Sequence, residues 1–502
     1  MDKKTKKKKS KSYYDRSRWT KLDRILHISG WAVAALQLVT TGIFTHFIDK
    51  LGFLPMAYEI LIIVLLVLFA LITLITQHWK ISGIITKVAA VFVIAVLIVG
   101  SVYINNTDNF FDKATNKTQQ TEIGVYVLAD SQAQAVEDVA DEVFGYVTSQ
   151  SKYTDGAFVS IGQAINKTAE TKAYDDVIVM AEALYNGDIK VVVMNKSSVD
   201  IISDTYENFA DETRCIETYT IETEYVHEKN EEYLDSDEVI TFYISGIDTN
   251  GSPTVNRNSD VNILLTLNTK THQILMINTP RDYYVNTTES VANNGIPDKL
   301  THAGGYGIEC SVGTLEMLYG INIDYYVKVN FTGFVQIIDQ LGGIDVYSEY
   351  DFVTRHGGDH IVVGNNHLTG IQALGFARER YSFGTGDKQR GKNQMAVIKA
   401  MVEKMTTTDM LMNYSSILDA ISDSFVTSMS RDEINSLVQM QLKDMPTWDI
   451  QSYSVDGTGD SQPSYSLPSP HYVMRPNEDT VNQAKEYLAA MHDNQVINTD
   501  AQ

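Results

Sequence analysis

Three long apolar runs near the amino terminus constrain this chain more than any other feature. They cover Trp31–Ile48, Ile60–Thr76 and Val88–Ile104, and none of them contains a charged residue. With their flanking residues, such runs are long enough to cross a bilayer as helices. Buried helices of a soluble core are the alternative, but such helices usually keep a polar face. The runs therefore predict three transmembrane helices within residues 29–104.

The charge distribution predicts how these helices are oriented. Met1–Arg24 carries a net charge of +8, whereas the whole chain carries −23. Positively charged flanks stay in the cytoplasm, so the basic tail, residues 1–28, is predicted to be cytoplasmic. An odd number of spans then places the large remainder outside the cell membrane. The tail is expected to bind anionic lipid headgroups, and nucleic acid is an unlikely partner because no groove-reading motif accompanies the charge.

The rest of the chain alternates between strand and helix patterns, which predicts an α/β fold class. Residues 105–121 are polar and are predicted to be a linker. An extracellular accessory domain is predicted over 122–235, with a strand at Ile123–Leu128 and a helix at Ala133–Thr148. A second, larger α/β domain is predicted over 236–480, followed by a carboxyl-terminal helix and tail over 481–502.

Composition and motif spacing exclude several functional classes. Two cysteines, Cys215 and Cys310, are too few for a disulfide framework, a zinc ribbon or an iron–sulfur protein, and the sequence leaves open whether they pair. Gly386–Lys392 has the spacing of a nucleotide-binding loop, but Asn393 replaces the hydroxyl residue that would hold the metal. A nucleotide-binding site is therefore not expected there.

Basic residues concentrate in one short segment of an otherwise acidic extracellular region. They are Arg378, Arg380, Lys388, Arg390 and Lys392. Arginine binds phosphate through two parallel hydrogen bonds. A helix is predicted to start here with Asp387 as its N-cap, which would place Arg390 and Gln394 on the same helix face as Asp387. The segment indicates a phosphate site, with a solvated helix end as the alternative.

Carboxylates and arginines also stand where predicted strands begin or end. Asp248 follows the strand Val239–Ile247, Arg257 and Asp260 precede the next strand, and Arg281-Asp282 follows the one after. Two carboxylates beside arginines are typical of a magnesium–pyrophosphate site. The alternative is that each aspartate serves only its turn.

Several short stretches carry a resemblance to a known family. They are Gly246–Asp248, Ser259–Asp260, Asn278–Tyr283, Lys299–Ala303, Val329–Phe331, Leu341–Val346, Leu368–Leu374 and Ala377–Arg380. Through these stretches, residues 236–448 resemble the LytR-CpsA-Psr family of cell-wall polymer ligases, whose α/β domain has a central mixed sheet. Three spans and an extra extracellular domain resemble the streptococcal capsule-regulator type within that family. Where the family has arginine directly before Ser-Asp, Arg257 here stands one residue earlier.

The resemblance implies an extracellular phosphotransferase that uses Mg²⁺ or Mn²⁺. It would attach capsular polysaccharide, or a similar anionic glycopolymer, from a polyprenyl-pyrophosphate carrier to peptidoglycan, with a pyrophosphatase side activity. Other capsule-assembly proteins are further implied partners.

The resemblance also implies roles for individual residues. Asp248 and Asp260 would hold the metal. Arg281, Arg378, Arg380 and Asp260 would be catalytic, and Arg257, Asp282, Asp387, Arg390 and Gln394 would bind substrate. Asp260 or Asp282 would orient the attacking hydroxyl. An apolar tunnel for the polyprenyl tail would involve Val261–Leu267, Ile274–Ile277 and Phe334–Leu341, whose alternative is ordinary core.

Two other functions remain open from the sequence. One is a regulator of capsule synthesis or transcription that acts through the basic tail. The other is a scaffold that binds the lipid carrier without turnover.

Overall fold

The structure is a computed structural model that describes most of the chain. The described residues are 20–51, 56–77, 79–115, 118–236, 238–247, 252–384, 386–407 and 424–499. The basic tail up to Trp19 and the predicted metal ligand Asp248 lie outside them. Contacts divide the chain into two compact units. One unit holds the amino-terminal helices and the helix Arg431–Asp444, and the other holds two β-sheets with the helices that cover them.

The first unit confirms that the three apolar runs are helices. They span Lys21–Leu51, Met56–Thr76 and Lys80–Ala114, and all three are long and apolar enough to cross a membrane. Large apolar side chains such as Phe92 are mostly exposed on them, as expected of a surface that faces lipid.

The third of these helices is longer than the sequence predicted. It continues to Ala114, and the next strand begins at Thr118, whereas residues 105–121 were predicted to be a linker. The segment after Ile104 contains neither proline nor glycine, so nothing in its backbone chemistry stops the helix.

The accessory region folds into a five-stranded mixed sheet with helices packed on it. In spatial order the strands are Thr171–Tyr174, Phe144–Val147, Val191–Asn195, Thr118–Leu128 and Thr213–Glu224. The helices are Ser151–Ala164, Val177–Tyr185, Ser198–Ser203 and Phe209–Glu212, with short 3-10 turns at Val136–Val139 and Thr148–Gln150.

The predicted helix over Ala133–Thr148 is wrong. Asp138 accepts hydrogen bonds from the backbone N–H groups of Gln134 (2.7 Å) and Ala135 (3.1 Å), which closes a single turn. Phe144–Val147 then enters the sheet between two parallel strands. The helical spacing of apolar residues was overridden by burial of this strand.

The larger sheet has six strands and is mixed, as predicted. In spatial order they are Phe425–Thr427, Tyr325–Asn330, Val239–Ile247, Ser259–Asn268, Gln273–Asn278 and Asp449–Ser454. The apolar runs Val261–Asn268 and Gln273–Thr279, joined by a short turn, predict a hairpin. The structure confirms it, because Ser259–Asn268 pairs antiparallel with Gln273–Asn278. Its central strands are buried on both faces.

Helices and short hairpins surround the six-stranded sheet. The helices are Thr288–Asn293, Leu300–Tyr306, Ile308–Tyr319, Phe331–Gln340, Gly370–Arg378, Asp387–Met405 and Glu478–His492. The short pairs are Tyr284–Val285 with Asp298–Lys299, Ile344–Ser348 with Gly364–Leu368, Phe352–Val353 with His360–Ile361, and Gly457–Gln462 with His471–Pro476.

Hydrogen bonds join the accessory sheet to the larger sheet within one compact unit. The backbone of Gln120 bonds Thr254 (3.1 Å) and Asn256 (2.7 Å), and the Tyr153 hydroxyl donates to the Tyr306 carbonyl oxygen (2.8 Å). These contacts place the accessory region directly beside the strand ends where the candidate site residues lie.

Cys215 and Cys310 are both free thiols. Burial raises the pKa of the Cys310 thiol to about 11, so that thiol stays protonated and unreactive at neutral pH.

Candidate active site

A polar cavity of about 310 Å³ lies where the accessory region meets the larger sheet. Its lining residues are Asp200, Ile201, Asp204, Arg257, Asn258, Asp260, Arg281, Lys299, Thr301 and His302. Three cationic side chains and three carboxylates therefore face one space. Charged groups gathered in a concave site are typical of a binding or catalytic centre.

The hairpin of the larger sheet brings Arg281 and Asp260 together. Because its strands run antiparallel, the start of Ser259–Asn268 lies beside the end of Gln273–Asn278. Arg281 Nη1 donates to Asp260 Oδ1 at 2.5 Å, and Arg281 Nε lies 3.8 Å from Asp282. Burial lowers the pKa of Arg281, but these carboxylates and Asp204 outweigh that effect and raise the pKa above its usual value. The guanidinium is thus a fixed positive charge in the cavity.

Lys299 adds a second buried cation, which sequence reasoning missed as a site residue. Its side chain is only 5% exposed, and Nζ lies 3.4 Å from Asp282 and 3.5 Å from Asp204. Asp204 follows the helix Ser198–Ser203 of the accessory region. The accessory region therefore supplies one wall of the cavity and one of the carboxylates that balance its cations.

Arg257, which the resemblance implies as a substrate-binding residue, lines the cavity, but a carboxylate already holds part of its side chain. Its Nη2 contacts Glu122 of the accessory sheet at 2.6 Å. Its Nη1 is buried and has no hydrogen-bond partner among the described residues. A buried donor without a partner is costly, so this atom is suited to receive an anionic ligand.

The other predicted arginines form a second group along the helices Gly370–Arg378 and Asp387–Met405. The Arg378 guanidinium stacks on the Phe331 ring at 4.2 Å, and Arg380 donates to the Tyr381 hydroxyl at 2.7 Å. This hydrogen bond and the positive charges of Arg380, Arg355 and Arg390 lower the pKa of Tyr381.

The start of the second helix differs from the prediction by one residue. Gly386 is the N-cap with φ of 48°, a conformation that glycine adopts at low cost, and Asp387 is the first helical residue. Asp387 is ion-paired with Arg390, one turn along the same face as predicted. Gln394 is half-buried on the next turn.

One packing contact and one electrostatic effect connect this second group to the residues around the cavity. A Cβ at Gly391 would overlap the side-chain amide of Asn278, so the helix packs directly on the strand end that leads to Arg281. Burial raises the pKa of Tyr472, and the carboxylates of Asp282 and Asp387 raise it further. Tyr472 therefore lies within the electrostatic reach of both groups.

Among the described residues, no cluster of three or more His, Cys, Asp or Glu side chains has a metal-binding arrangement. Asp260 keeps one carboxylate oxygen beyond the one that Arg281 occupies. One or two carboxylates together with substrate phosphates are the usual protein share of a Mg²⁺ site. The residues thus fit a metal shared with a pyrophosphate, and the role of Asp248 stays a prediction.

The strands and the helix that were predicted to line a lipid tunnel place buried side chains in two packed hydrophobic cores. Leu264, Leu275 and Ile277 belong to the core of the larger sheet, and Ile338 and Leu341 belong to a second core beneath Phe331–Gln340. The tunnel stays a prediction.

Sequence reasoning missed Lys299, His302, Asp204 and Glu122. A usable signal existed for the first two, because Lys299 and His302 both lie in the stretch Lys299–Ala303, which carries part of the family resemblance. Asp204 and Glu122 reach the cavity only through the docking of the accessory region, which one-dimensional patterns do not show.

Comparison with known proteins shows which family and which relatives this chain is similar to. A family model described as the LytR_cpsA_psr family matches residues 205–488. A Bacillus cereus protein named polyisoprenyl-teichoic acid–peptidoglycan teichoic acid transferase TagU is 34% identical over 202 residues, which is 40% of this chain and 64% of the relative. An Enterococcus faecalis protein of the same name is 31% identical over 220 residues, which is 43% of this chain and 71% of the relative.

Solved structures were also matched. The crystal structure of Bacillus subtilis TagV has 25% identity and a TM-score of 0.43, and it covers 52% of this chain and 100% of the TagV chain. This chain spans just under two thirds of the Bacillus cereus relative. Since the family model covers more than half of its residues, this chain belongs to the LytR-CpsA-Psr family.

Proposed function

We propose that this protein is a membrane-anchored phosphotransferase. It attaches an anionic glycopolymer from a polyprenyl-pyrophosphate carrier to peptidoglycan and forms a phosphodiester. Capsular polysaccharide is the proposed polymer, because three spans and an accessory domain resemble the capsule-associated type of the family. The relatives with teichoic acid in their names support the broader class of glycopolymer transfer.

One observation carries the proposal: Arg281, Lys299 and Asp260 line the same cavity. A transferring phosphoryl group needs positive charge around its non-bridging oxygens. Arg281 is held by two carboxylates, so little reorganisation is needed when substrate arrives. The geometry supports phosphoryl transfer better than hydrolysis of a sugar, for which a pair of free carboxylates is typical.

The proposed location agrees with the nature of the carrier. A polyprenyl lipid stays in the membrane, and three apolar helices would keep the enzyme there. In the proposed topology the amino terminus is cytoplasmic and the cavity is extracellular, on the side where peptidoglycan lies.

A metal ion is part of the proposal. Mg²⁺ or Mn²⁺ bound by Asp260 and Asp248 would neutralise charge on the pyrophosphate. Arg281, Arg378 and Arg380 would hold the remaining phosphate oxygens, with Arg257, Asp282, Asp387, Arg390 and Gln394 around the substrate.

The test is polymer transfer by the full-length protein in detergent. A polyprenyl-pyrophosphate-linked glycopolymer serves as donor and purified peptidoglycan as acceptor. Arg281→Ala should lower kcat by roughly 100-fold or more, because one preorganised donor to a transition-state oxyanion contributes about that much.

Arg475→Ala is the matched control. Arg475 is 54% exposed and paired only with the surface residue Asp460 among the described contacts, so its removal should change kcat by less than about twofold. Wild-type protein that moves no polymer would reject the proposed function. Normal turnover by folded Arg281→Ala would remove this arginine from the site.

A further inference from the structure

His302 lines the cavity, and a buried carboxylate holds its ring in place. Nδ1 lies 2.7 Å from Asp298 Oδ1, and the two side chains are 3% and 0% exposed. Among the described residues, the ring makes its hydrogen bond through Nδ1, and no group hydrogen-bonds the second ring nitrogen, Nε2. A carboxylate that accepts from Nδ1–H leaves Nε2 as a proton acceptor.

Asp298 is built to stay ionised and fixed. Burial raises its pKa, but His302 and the hydrogen bonds from Ser466 and Ser464 outweigh burial, so the pKa lies below its usual value. The backbone N–H groups of Lys299 (2.8 Å) and Ser466 (3.1 Å) donate to the carboxylate, as does the Ser466 hydroxyl. These hydrogen bonds prevent the Asp298 carboxylate from rotating, so the imidazole of His302 keeps it as its hydrogen-bond partner.

The carboxylates in the cavity are less suited to accept a proton. Asp260 accepts from Arg281 at 2.5 Å, and Asp282 lies 3.4 Å from Lys299 Nζ. Each of these carboxylates is therefore already engaged by a cationic side chain, whereas Nε2 of His302 is not. The resemblance assigned the orientation of the attacking hydroxyl to Asp260 or Asp282, whereas the contacts favour another group for proton removal.

We propose that His302 is the general base of polymer transfer and that Asp298 is its positioning residue. This rests on the proposed function. Nε2 accepts the proton of the attacking hydroxyl of peptidoglycan. At the same time the oxygen of that hydroxyl forms a bond to the phosphorus next to the polymer. The bond from that phosphorus to the bridging oxygen breaks, and polyprenyl phosphate leaves with the electron pair. The imidazolium then releases its proton to solvent.

The proposal predicts an acid limb in the rate, because protonated His302 cannot accept a proton. The charged or titratable groups in the elements around it are Asp298, Lys299, Arg257, Asp260, Arg281, Asp200, Asp204, Glu309 and His471. The His471 ring is centred 6.5 Å from that of His302, and burial lowers the pKa of His471, which favours its neutral form.

The experiment measures transfer by the full-length protein between pH 5.5 and 8.5, with a polyprenyl-pyrophosphate glycolipid as donor and purified peptidoglycan as acceptor. His302→Gln should lower kcat by about 10²-fold to 10⁴-fold and leave the donor KM within about threefold, because a general base acts in the transition state. The acid limb seen in the pH–rate profile of the wild type should be absent from that of His302→Gln. Asp298→Asn should lower kcat as well, because the amide favours the wrong ring tautomer.

The surface pair Asp351–His360 provides matched controls. His360 Nε2 lies 3.0 Å from Asp351, and both side chains are mostly exposed. His360→Gln and Asp351→Asn should leave kcat and the pH profile unchanged.

Three results would overturn the proposal. Folded His302→Gln with kcat within threefold of wild type is the first, and an unchanged acid limb in that variant is the second. The third is folded Asp298→Asn with kcat within threefold of wild type, because the positioning role of Asp298 would then be absent. Wild type that transfers nothing would instead reject the proposed function, and this proposal with it.

Discussion

The buried lysine Lys328 gives a prediction whose size follows directly from the structure. It lies in the strand Tyr325–Asn330 with 3% exposure, and Nζ donates to the Val255 carbonyl oxygen at 3.3 Å. Burial lowers the pKa of Lys328 from 10.5 to about 7, with the Glu309 carboxylate opposing this shift and Arg257 adding to it.

This lowered pKa makes stability depend on pH in a defined direction. Below pH 7 the Lys328 amine is protonated in both the folded and the unfolded protein. The folded state then carries the full free-energy cost of burying the charged amine, about 5 kcal/mol at 1.36 kcal/mol per unit of pKa shift. Between pH 7 and 10.5 the unfolded chain binds more protons than the folded one, so this contribution raises the free energy of unfolding as pH rises. Above pH 10.5 the cost is absent.

Lys328→Met should therefore stabilise the protein, and most strongly near pH 7. Loss of the hydrogen bond to Val255 offsets about 1 kcal/mol of the gain. The clearer quantity is the gap in free energy of unfolding between variant and wild type, which should shrink by about 1.4 kcal/mol per pH unit from pH 7 to 9.5. Urea unfolding of the full-length protein in detergent, followed by near-ultraviolet circular dichroism, measures this gap.

Lys399→Met is the control for loss of a positive charge, because Lys399 is exposed on the helix Asp387–Met405. Its gap from wild type should stay within about 0.5 kcal/mol at every pH. If Lys328→Met were less stable than wild type at pH 7, or if its gap were constant with pH, the assignment of a neutral buried amine would be wrong.

Two further predictions concern packing and metal. Gly391→Ala should lower the free energy of unfolding by about 1–3 kcal/mol because its methyl group would overlap the Asn278 amide, whereas Gly384→Ala, which meets open space, should be near neutral in the same urea titration. Mg²⁺ should bind weakly until a short polyprenyl pyrophosphate is added, because the cavity cations repel it and phosphate oxygens complete its ligands. Calorimetry with and without the lipid measures this coupling, and equal Mg²⁺ affinity in the two titrations would contradict the metal role of Asp260.

The sequence alone predicted the elements whose pattern is local. The three apolar helices follow from uninterrupted hydrophobic runs, which have few structural solutions. The strand Val239–Ile247 and the hairpin after it are β-rich runs bounded by turn residues, and both appear where expected. Arg281 and Asp260 were predicted as site residues because they stand where predicted strands end or begin, and carboxylates beside arginines are typical of a magnesium–pyrophosphate site.

Tertiary structure decided which charged groups share one space. Phe144–Val147 became a strand because two parallel neighbours bury it, although its apolar spacing is helical. Asp204 and Glu122 reach Lys299 and Arg257 across a junction between distant segments, so no spacing rule could reveal them. The physical reason is that hydrophobic periodicity indicates only which face of a helix or strand is buried. Proton transfer and phosphate binding depend instead on distances of about 3 Å between residues that are far apart in the chain.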